Sequence, residues 1–213
     1  SHTGWSGEIE VDGNRVRDMR PMDVAKTVAT VPAEAPMAFG MTVMDVVMLG
    51  RYPFVNKVWW ESKEDEKTVR EALKAFGLDG LRRRQVGTLS SGEKQRTLIA
   101  KAYVQEPELM LVDEPTSHLD MKYKLEVMEY LRDMSRKGIT VLVAEHDISL
   151  MARYCDTCVI MKKGEIKTVG NPKEAITESL IREVYEVDAR VGLDADGEIY
   201  VLPKKYIRKG ENA

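Results

Sequence analysis

Leu89-Ser90-Ser91-Gly92-Glu93 and, downstream, Leu109-Met110-Leu111-Val112-Asp113-Glu114-Pro115 decide the reading of this chain. The first stretch is a small-residue loop that opens a helix. Ser-x-x-Glu is a capping box, with Ser90 as N-cap and Glu93 three residues in. The helix continues with Leu98, Ile99 and Ala102 on one face. The second stretch is an apolar strand that delivers two adjacent carboxylates to its carboxyl end, the edge at which open α/β sheets bind ligands. Ser117-His118-Leu119-Asp120 follows, and a second apolar strand, Val141-Leu142-Val143-Ala144, leads to Glu145 and His146.

Each of these residues has an ordinary reading and a chemical one. A capping box alone accounts for Ser90 and Glu93. The same helix end also offers free N–H groups and partial positive charge to an anion, and a glycine at 92 lets a phosphate approach the backbone. Taken alone, Asp113-Glu114 is equally a strand exit with solvated acids. Phosphoryl transfer to water, however, requires one carboxylate to hold Mg²⁺ and a second to orient or deprotonate the attacking water. His146 alone is equally a hydrogen-bonded surface histidine, yet a histidine can donate to charge developing on a phosphate.

The whole chain sets bounds on these readings. Its 213 residues suffice for one large domain or a domain with a subdomain. A hydrophobic share of 43% and a charged share of 31% fit a globular protein. The net charge of −3, with both signs interspersed, gives no sign of nucleic-acid binding. No apolar run is long enough to cross a bilayer, and no secretory signal is visible. Cys155 and Cys158 have redox-pair spacing but no further metal ligands nearby, and they enter a strand-like run; reduced structural thiols are expected.

Along the chain, Gly7 to Gly13 reads as a strand ending in an Asp-Gly turn. Val28 to Val31 is a short buried strand stopped by Pro32. Residues 33–88 read as a helical subdomain. Met41 to Leu49 has helical apolar spacing, and Lys63 to Phe76 is an amphipathic helix with Val69, Leu73 and Phe76 on one face and Gly77 at its end. Strands 109–113 and 139–144 are nearly all apolar, as in a parallel sheet covered on both faces. Leu125, Met128 and Leu131 give the helix between them its apolar face. Residues 157–161 and 165–169 flank Lys163-Gly164 and read as a hairpin. A second hairpin joins 189–191 to 199–202.

The four stretches, in this order, resemble the nucleotide-binding domain of an ATP-binding cassette (ABC) transporter. Leu-Ser-Ser-Gly-Glu is similar to the family's signature Leu-Ser-Gly-Gly-Gln, departing at Ser91 and Glu93. The resemblance implies that Asp113 is the Walker B aspartate that holds Mg²⁺ and that Glu114 is the catalytic base. It implies that His146 contacts the γ-phosphate, and that Ser90, Ser91, Gly92, Glu93 and Asp120 meet a nucleotide held by the opposite subunit. Leu49-Gly50-Arg51-Tyr52-Pro53, Glu93-Lys94-Gln95-Arg96, Ser117-His118-Leu119-Asp120 and the Ile181–Tyr185 segment look like the ATPases that import ferric siderophores, haem and cobalamin.

Two departures qualify the match. No G-x-x-x-x-G-K-[ST] occurs in the chain, so the phosphate-cradling Walker A loop, which lies upstream in the family, is expected to be missing, and the N-terminal part of the core to be truncated. The family's Q-loop glutamine would fall at Ala33, which cannot hold a metal or a water; Glu34, one residue later, is the candidate substitute.

The expected fold is therefore α/β, a P-loop NTPase-type core with a parallel sheet and an inserted helical subdomain. Residues 1–213 form one partial ABC ATPase domain. Within it, 33–88 is the helical subdomain with the Q-loop region, 89–170 the core with signature, Walker B, D-loop and switch histidine, and 171–213 a helical and β-hairpin extension. The implied function is the ATP-hydrolysing subunit of an importer of an iron complex, haem or cobalamin, using ATP and Mg²⁺. The fragment alone is expected to be inactive. The implied partners are a second copy in a head-to-tail dimer, transmembrane permease subunits and, indirectly, an extracytoplasmic solute-binding protein. The implied place is the cytoplasmic face of the cell membrane. Two other functions remain open: a non-catalytic ABC-like interaction module, and a soluble ABC ATPase not linked to transport.

Overall fold

The computed structural model describes residues 6–33, 35, 40–54 and 62–207, and it divides into two compact units, 1–144 and 145–213. The first unit begins with a minimal hairpin of β1 (Glu10–Val11) and β2 (Asn14–Arg15). Asp12 and Gly13 both have positive φ, 49° and 72°, as a two-residue Asp-Gly hairpin turn requires. The strand expected from Gly7 is thus only two residues long, and among the described residues the short hairpin pairs with no other strand. Helix α1 (Pro21–Thr27) starts on a proline and runs into β3 (Val28–Val31).

Between β3 and the Ser90 loop the described residues form two α-helices. α2 (Val43–Met48) is capped by Thr42 and passes into a 3-10 turn over Leu49–Phe54. α3 (Lys63–Ala75) is capped by Ser62 and buries Val69 and Leu73, with Phe76 closing its end before Gly77 at φ 65°. Gly50 lies so close to the next helix, α4 (Ser91–Tyr103), that a Cβ there would run into the Lys101 carbonyl oxygen. The insertion is therefore pressed directly onto α4.

β4 (Leu109–Asp113), α5 (Met121–Arg136) and β5 (Thr140–Ala144) complete the first unit. The sheet is parallel in the order β3-β4-β5, with Val31 opposite Val112 and Asp113 opposite Ala144. Two sequence expectations are corrected here. Leu125 is 37% exposed, and the buried face of α5 is instead Val127, Met128, Leu131 and Met134. β5 is apolar but not covered on both faces: among the described residues it pairs with β4 alone, and Leu142 is 59% exposed.

The second unit holds α6 (Ile148–Tyr154), a hairpin of β6 (Cys158–Lys162) and β7 (Glu165–Gly170), α7 (Pro172–Ala175), α8 (Glu178–Tyr185) and a hairpin of β8 (Val187–Leu193) and β9 (Ile199–Tyr206). Its core gathers Ala152, Cys158, Ile160, Ile176, Ile181, Ala189 and Ile199. Lys163 and Gly164 form the tight turn of the first hairpin with φ of 52° and 81°. Both cysteines are free, and burial raises the pKa of each thiol, which fits inert structural thiols.

Candidate functional site

Parallel pairing sends β3, β4 and β5 out at one edge of the sheet, so their exits are neighbours. β3 leaves through Pro32 and the half-buried Ala33; Glu34 lies outside the described residues. β4 ends on Asp113, which is exposed, and Glu114, which is half-buried. The Glu114 backbone N–H donates to the Ala144 carbonyl at 2.9 Å, carrying the ladder one residue past the strand. Glu114 itself has φ 43°, in the left-handed region. For a non-glycine residue this costs about 1–3 kcal/mol and persists where the surroundings impose it. The Ser117 N–H and hydroxyl both donate to the Glu114 carbonyl, at 3.1 and 3.2 Å, and His118 is left-handed as well, at φ 59°. A five-residue loop, 115–119, thus joins the acids to Asp120, with left-handed residues at Glu114 before it and His118 within it.

Asp120 is the N-cap of α5, its Oδ1 accepting from the Tyr123 N–H at 3.2 Å. The loop before α4 is built in a related way. Ser90 accepts from the Glu93 N–H at 3.3 Å, and Glu93 Oε2 accepts from the Ser90 N–H at 2.8 Å. The bond from the Ser90 backbone, helped by Arg84 and Arg96, holds the Glu93 carboxyl below the usual carboxylate range. Ser90 and Ser91 are exposed, and Gly92 is buried. β5 ends at the same sheet edge as β4, and the chain leaves it into the second unit, where His146 is exposed and its N–H donates to Glu145 Oε1 at 3.0 Å. Asp147 then caps α6.

Asp113 and Glu114 are thus brought to the carboxyl edge of a parallel sheet, and the Ser90–Glu93 loop and Asp120 to two neighbouring helix starts. An exposed aspartate beside a second carboxylate suits Mg²⁺, which binds through one or two carboxylates and completes its shell with phosphates and water. Among the described residues no group of three or more His, Cys, Asp or Glu could hold a metal by itself. The donor set therefore fits a metal that arrives with a phosphate ligand better than a stand-alone metal centre.

Sequence reasoning missed two structural residues. Arg51 sits in the insertion, 8% exposed, yet donates from Nε to Asp65 at 2.7 Å and from Nη1 to the Val104 carbonyl and to Glu106, at 2.7 and 2.8 Å. Its guanidinium also stacks 4.3 Å from the Phe54 ring centroid. It joins the insertion to the far end of the helix that the Ser90–Glu93 loop begins. Arg51 lines an apolar-walled groove of about 250 Å³ with Met41, Asp45, Met48, Leu49, Tyr52 and Asp65. The second missed residue is Tyr123, packed on Gly92. Neither carries a local sequence signal, since Arg51 meets Val104 and Glu106, and Tyr123 meets Gly92, across long stretches of chain.

Fold and loops together define an ATP-binding cassette ATPase domain. The chain belongs to the ABC transporter family, whose model matches residues 2–117. It is 32% identical over 190 residues to a petrobactin import ATP-binding protein, FpuD, of Bacillus anthracis, covering 89% of this chain and 70% of that protein. It is 35% identical over 186 residues to the achromobactin transport ATP-binding protein of Dickeya dadantii, covering 87% of this chain and 69% of that one. A cobalamin import ATP-binding protein of Halobacterium salinarum is 34% identical over 203 residues, 94% of this chain and 50% of that protein. Among solved structures, cbiO1 of Clostridium perfringens, part of the ABC transporter complex cbiONQ, superposes with a TM-score of 0.70 at 33% identity, covering 79% of this chain and 67% of that one. MJ1267, an ATP-binding cassette of an ABC transporter, has a TM-score of 0.74 at 21% identity over 84% of this chain and 77% of that one, which is a likeness of fold.

Proposed function

We propose that this chain is the motor of an importer, coupling ATP binding and hydrolysis to uptake of an iron complex, haem or cobalamin. The observation that carries the reading is the pairing of Asp113 with Glu114 at the carboxyl edge of the sheet, in a chain whose relatives are siderophore and cobalamin import ATPases. Asp113 would hold Mg²⁺, which when bound neutralises phosphate charge. Glu114 would orient the attacking water and accept its proton. Its left-handed backbone turns the residue out of the strand direction. His146 would donate to the γ-phosphate, and Ala33, with Glu34 after it, would occupy the Q-loop position.

Ser90, Ser91, Gly92, Glu93 and Asp120 would meet the nucleotide of a second copy, so that ATP is held between two subunits facing head to tail. Residues 33–88 would act as the helical subdomain that faces the permease. The groove beside Leu49 and Tyr52, which are 48% and 67% exposed, is suited to receive a permease segment. No helix among the described residues is long and apolar enough to cross a membrane, so a permease partner would supply the span. A solute-binding protein outside the cell would hand over the cargo, and this subunit would sit at the inner membrane face. Ala33, which can hold neither a metal nor a water at the Q-loop position, favours one other reading, a non-catalytic interaction module.

The test is transport by the protein expressed from its complete gene and reconstituted with its permease in vesicles. ATP-dependent accumulation of a ferric siderophore, haem or cobalamin is expected, and Leu49→Glu with Tyr52→Glu should abolish it. Assembly with the permease but no ATP-dependent uptake of any of the three would overturn the importer reading.

A further inference from the structure

The two groups that the proposed function sends across the dimer, the Ser90–Glu93 loop and Asp120, are joined within one subunit by an aromatic residue, Tyr123. A Cβ built on Gly92 would lie 3.0 Å from Tyr123 Cγ, 3.1 Å from Cδ1 and 3.4 Å from Cδ2, so the ring lies against the glycine. That is why Gly92 is buried while Ser90 and Ser91 beside it are exposed. Tyr123 is also the residue whose backbone N–H is held by the Asp120 carboxylate at 3.2 Å. Its main chain is thus fixed to one loop and its side chain to the other.

The contact continues along both helices. One turn below Gly92, Arg96 pairs with Glu126 at 3.2 Å, and the Arg96 guanidinium lies 6.0 Å from the Tyr123 ring centroid. Further along α5, Tyr130 packs on Phe76 at the end of α3, with centroids 4.9 Å apart. Tyr123 is the member of this row nearest the two helix starts.

We propose that Tyr123 is a positioning residue that sets the register of the Ser90–Glu93 loop against Asp120, and that position 92 is glycine because the ring fills the space of a side chain. The proposal rests on the reading of these loops as groups that meet the partner's nucleotide. Two helix starts converging on one ligand must keep their spacing, and a displacement near 1 Å at a reacting centre can cost about a hundredfold in rate. A flat ring packed this closely on a Cα resists a change of that spacing, because dense packing leaves the ring little room to shift.

Close approach of a phosphate would also require glycine at 92, and a double variant separates the two explanations. The protein expressed from its complete gene is assayed for turnover and for affinity toward a fluorescent ATP analogue. Tyr123→Phe should retain the wild-type kcat. Tyr123→Ala should lower kcat about tenfold with nucleotide affinity kept within about twofold, since the loops act in closure and not in the first binding event. Gly92→Ala should lower kcat about a hundredfold, and adding Tyr123→Ala to it should restore turnover to the level of Tyr123→Ala alone. If Tyr123→Ala does not fold, Tyr123→Leu takes its place with the same expectation. A double variant that stays at the Gly92→Ala level, or at the product of the two losses, overturns the proposal while leaving the ATPase reading intact. A Tyr123→Ala enzyme with wild-type kcat overturns it too. No hydrolysis by the unsubstituted protein overturns the ATPase reading and this proposal with it.

Discussion

Replacing Arg51 with alanine should cost this chain about 3 kcal/mol of stability, a figure that follows from what each of its partners loses. The bond to Asp65 is nearly dry, the two side chains being 10% and 14% exposed. Removing one member of a buried pair costs roughly 3–5 kcal/mol. Asp65 keeps its bonds from the Ser62 hydroxyl and N–H, at 2.7 and 3.2 Å, which points to the low end. Glu106 is 59% exposed and returns to water, so its pair contributes about 0–1 kcal/mol. The Val104 carbonyl loses a charged donor. Burial opposes the charge on Arg51, but the bonds to Glu106 and Asp65 outweigh it and raise its pKa, so the guanidinium is charged at every accessible pH. Urea unfolding followed by far-ultraviolet circular dichroism should show the midpoint falling by about 1 M or more. Arg51→Lys should recover only part of the loss, because an ammonium cannot reach carboxylate and carbonyl in one plane. In an Arg51→Ala, Asp65→Ala cycle the losses should fall short of additivity by about 1 kcal/mol or more. An Arg51→Ala midpoint equal to wild type, or strictly additive losses, would refute the claim that the nearly dry pair of Arg51 with Asp65 stabilises the insertion.

Three other outcomes are expected. Glu93 has its pKa lowered by the Ser90 backbone bond, so its contribution is present above the ordinary value of 4.5 and is lost as pH falls through the lower folded value. The stability gap between wild type and Glu93→Gln should hold at neutral pH and close below about pH 4; a gap unchanged down to about pH 3 would contradict this. The 213-residue chain should self-associate through the open edge and exposed Leu142 of β5, with Leu142→Lys reducing it; light scattering from a stable monomer over a wide concentration range would count against that. The same chain, which contains no G-x-x-x-x-G-K-[ST], should bind Mg-ATP weakly or not at all, and tight stoichiometric binding in a calorimetric titration would reveal a phosphate site of another kind.

Local chemistry was legible in the sequence and distant chemistry was not. The capping box at Ser90 and Glu93, the Asp12-Gly13 turn and the stop at Gly77 follow from rules that span three or four residues, and each formed as read. The strand carrying Asp113 was legible because four apolar residues ending in two acids have few other uses. Arg51 was not, since its partners Val104 and Glu106 lie 53 and 55 positions away. Leu125 was misplaced because α5 buries a face turned slightly from the one its leucines suggested. The exposure of β5 escaped because composition reports which strands can be buried, not which neighbours they have. Tyr123 escaped for a related reason: a glycine and a tyrosine 31 residues apart in sequence carry no pattern that announces contact.

The central claim is that Glu114 activates water for ATP hydrolysis. Turnover of Glu114→Gln, measured on the protein expressed from its complete gene in Mg-ATP, tests it most directly, because the amide keeps the shape of the side chain and removes the base. The account predicts a fall of about 10²–10⁴ in rate, with ATP still bound and an ATP-held dimer accumulating on size exclusion. Hydrolysis by Glu114→Gln at the wild-type rate would contradict it.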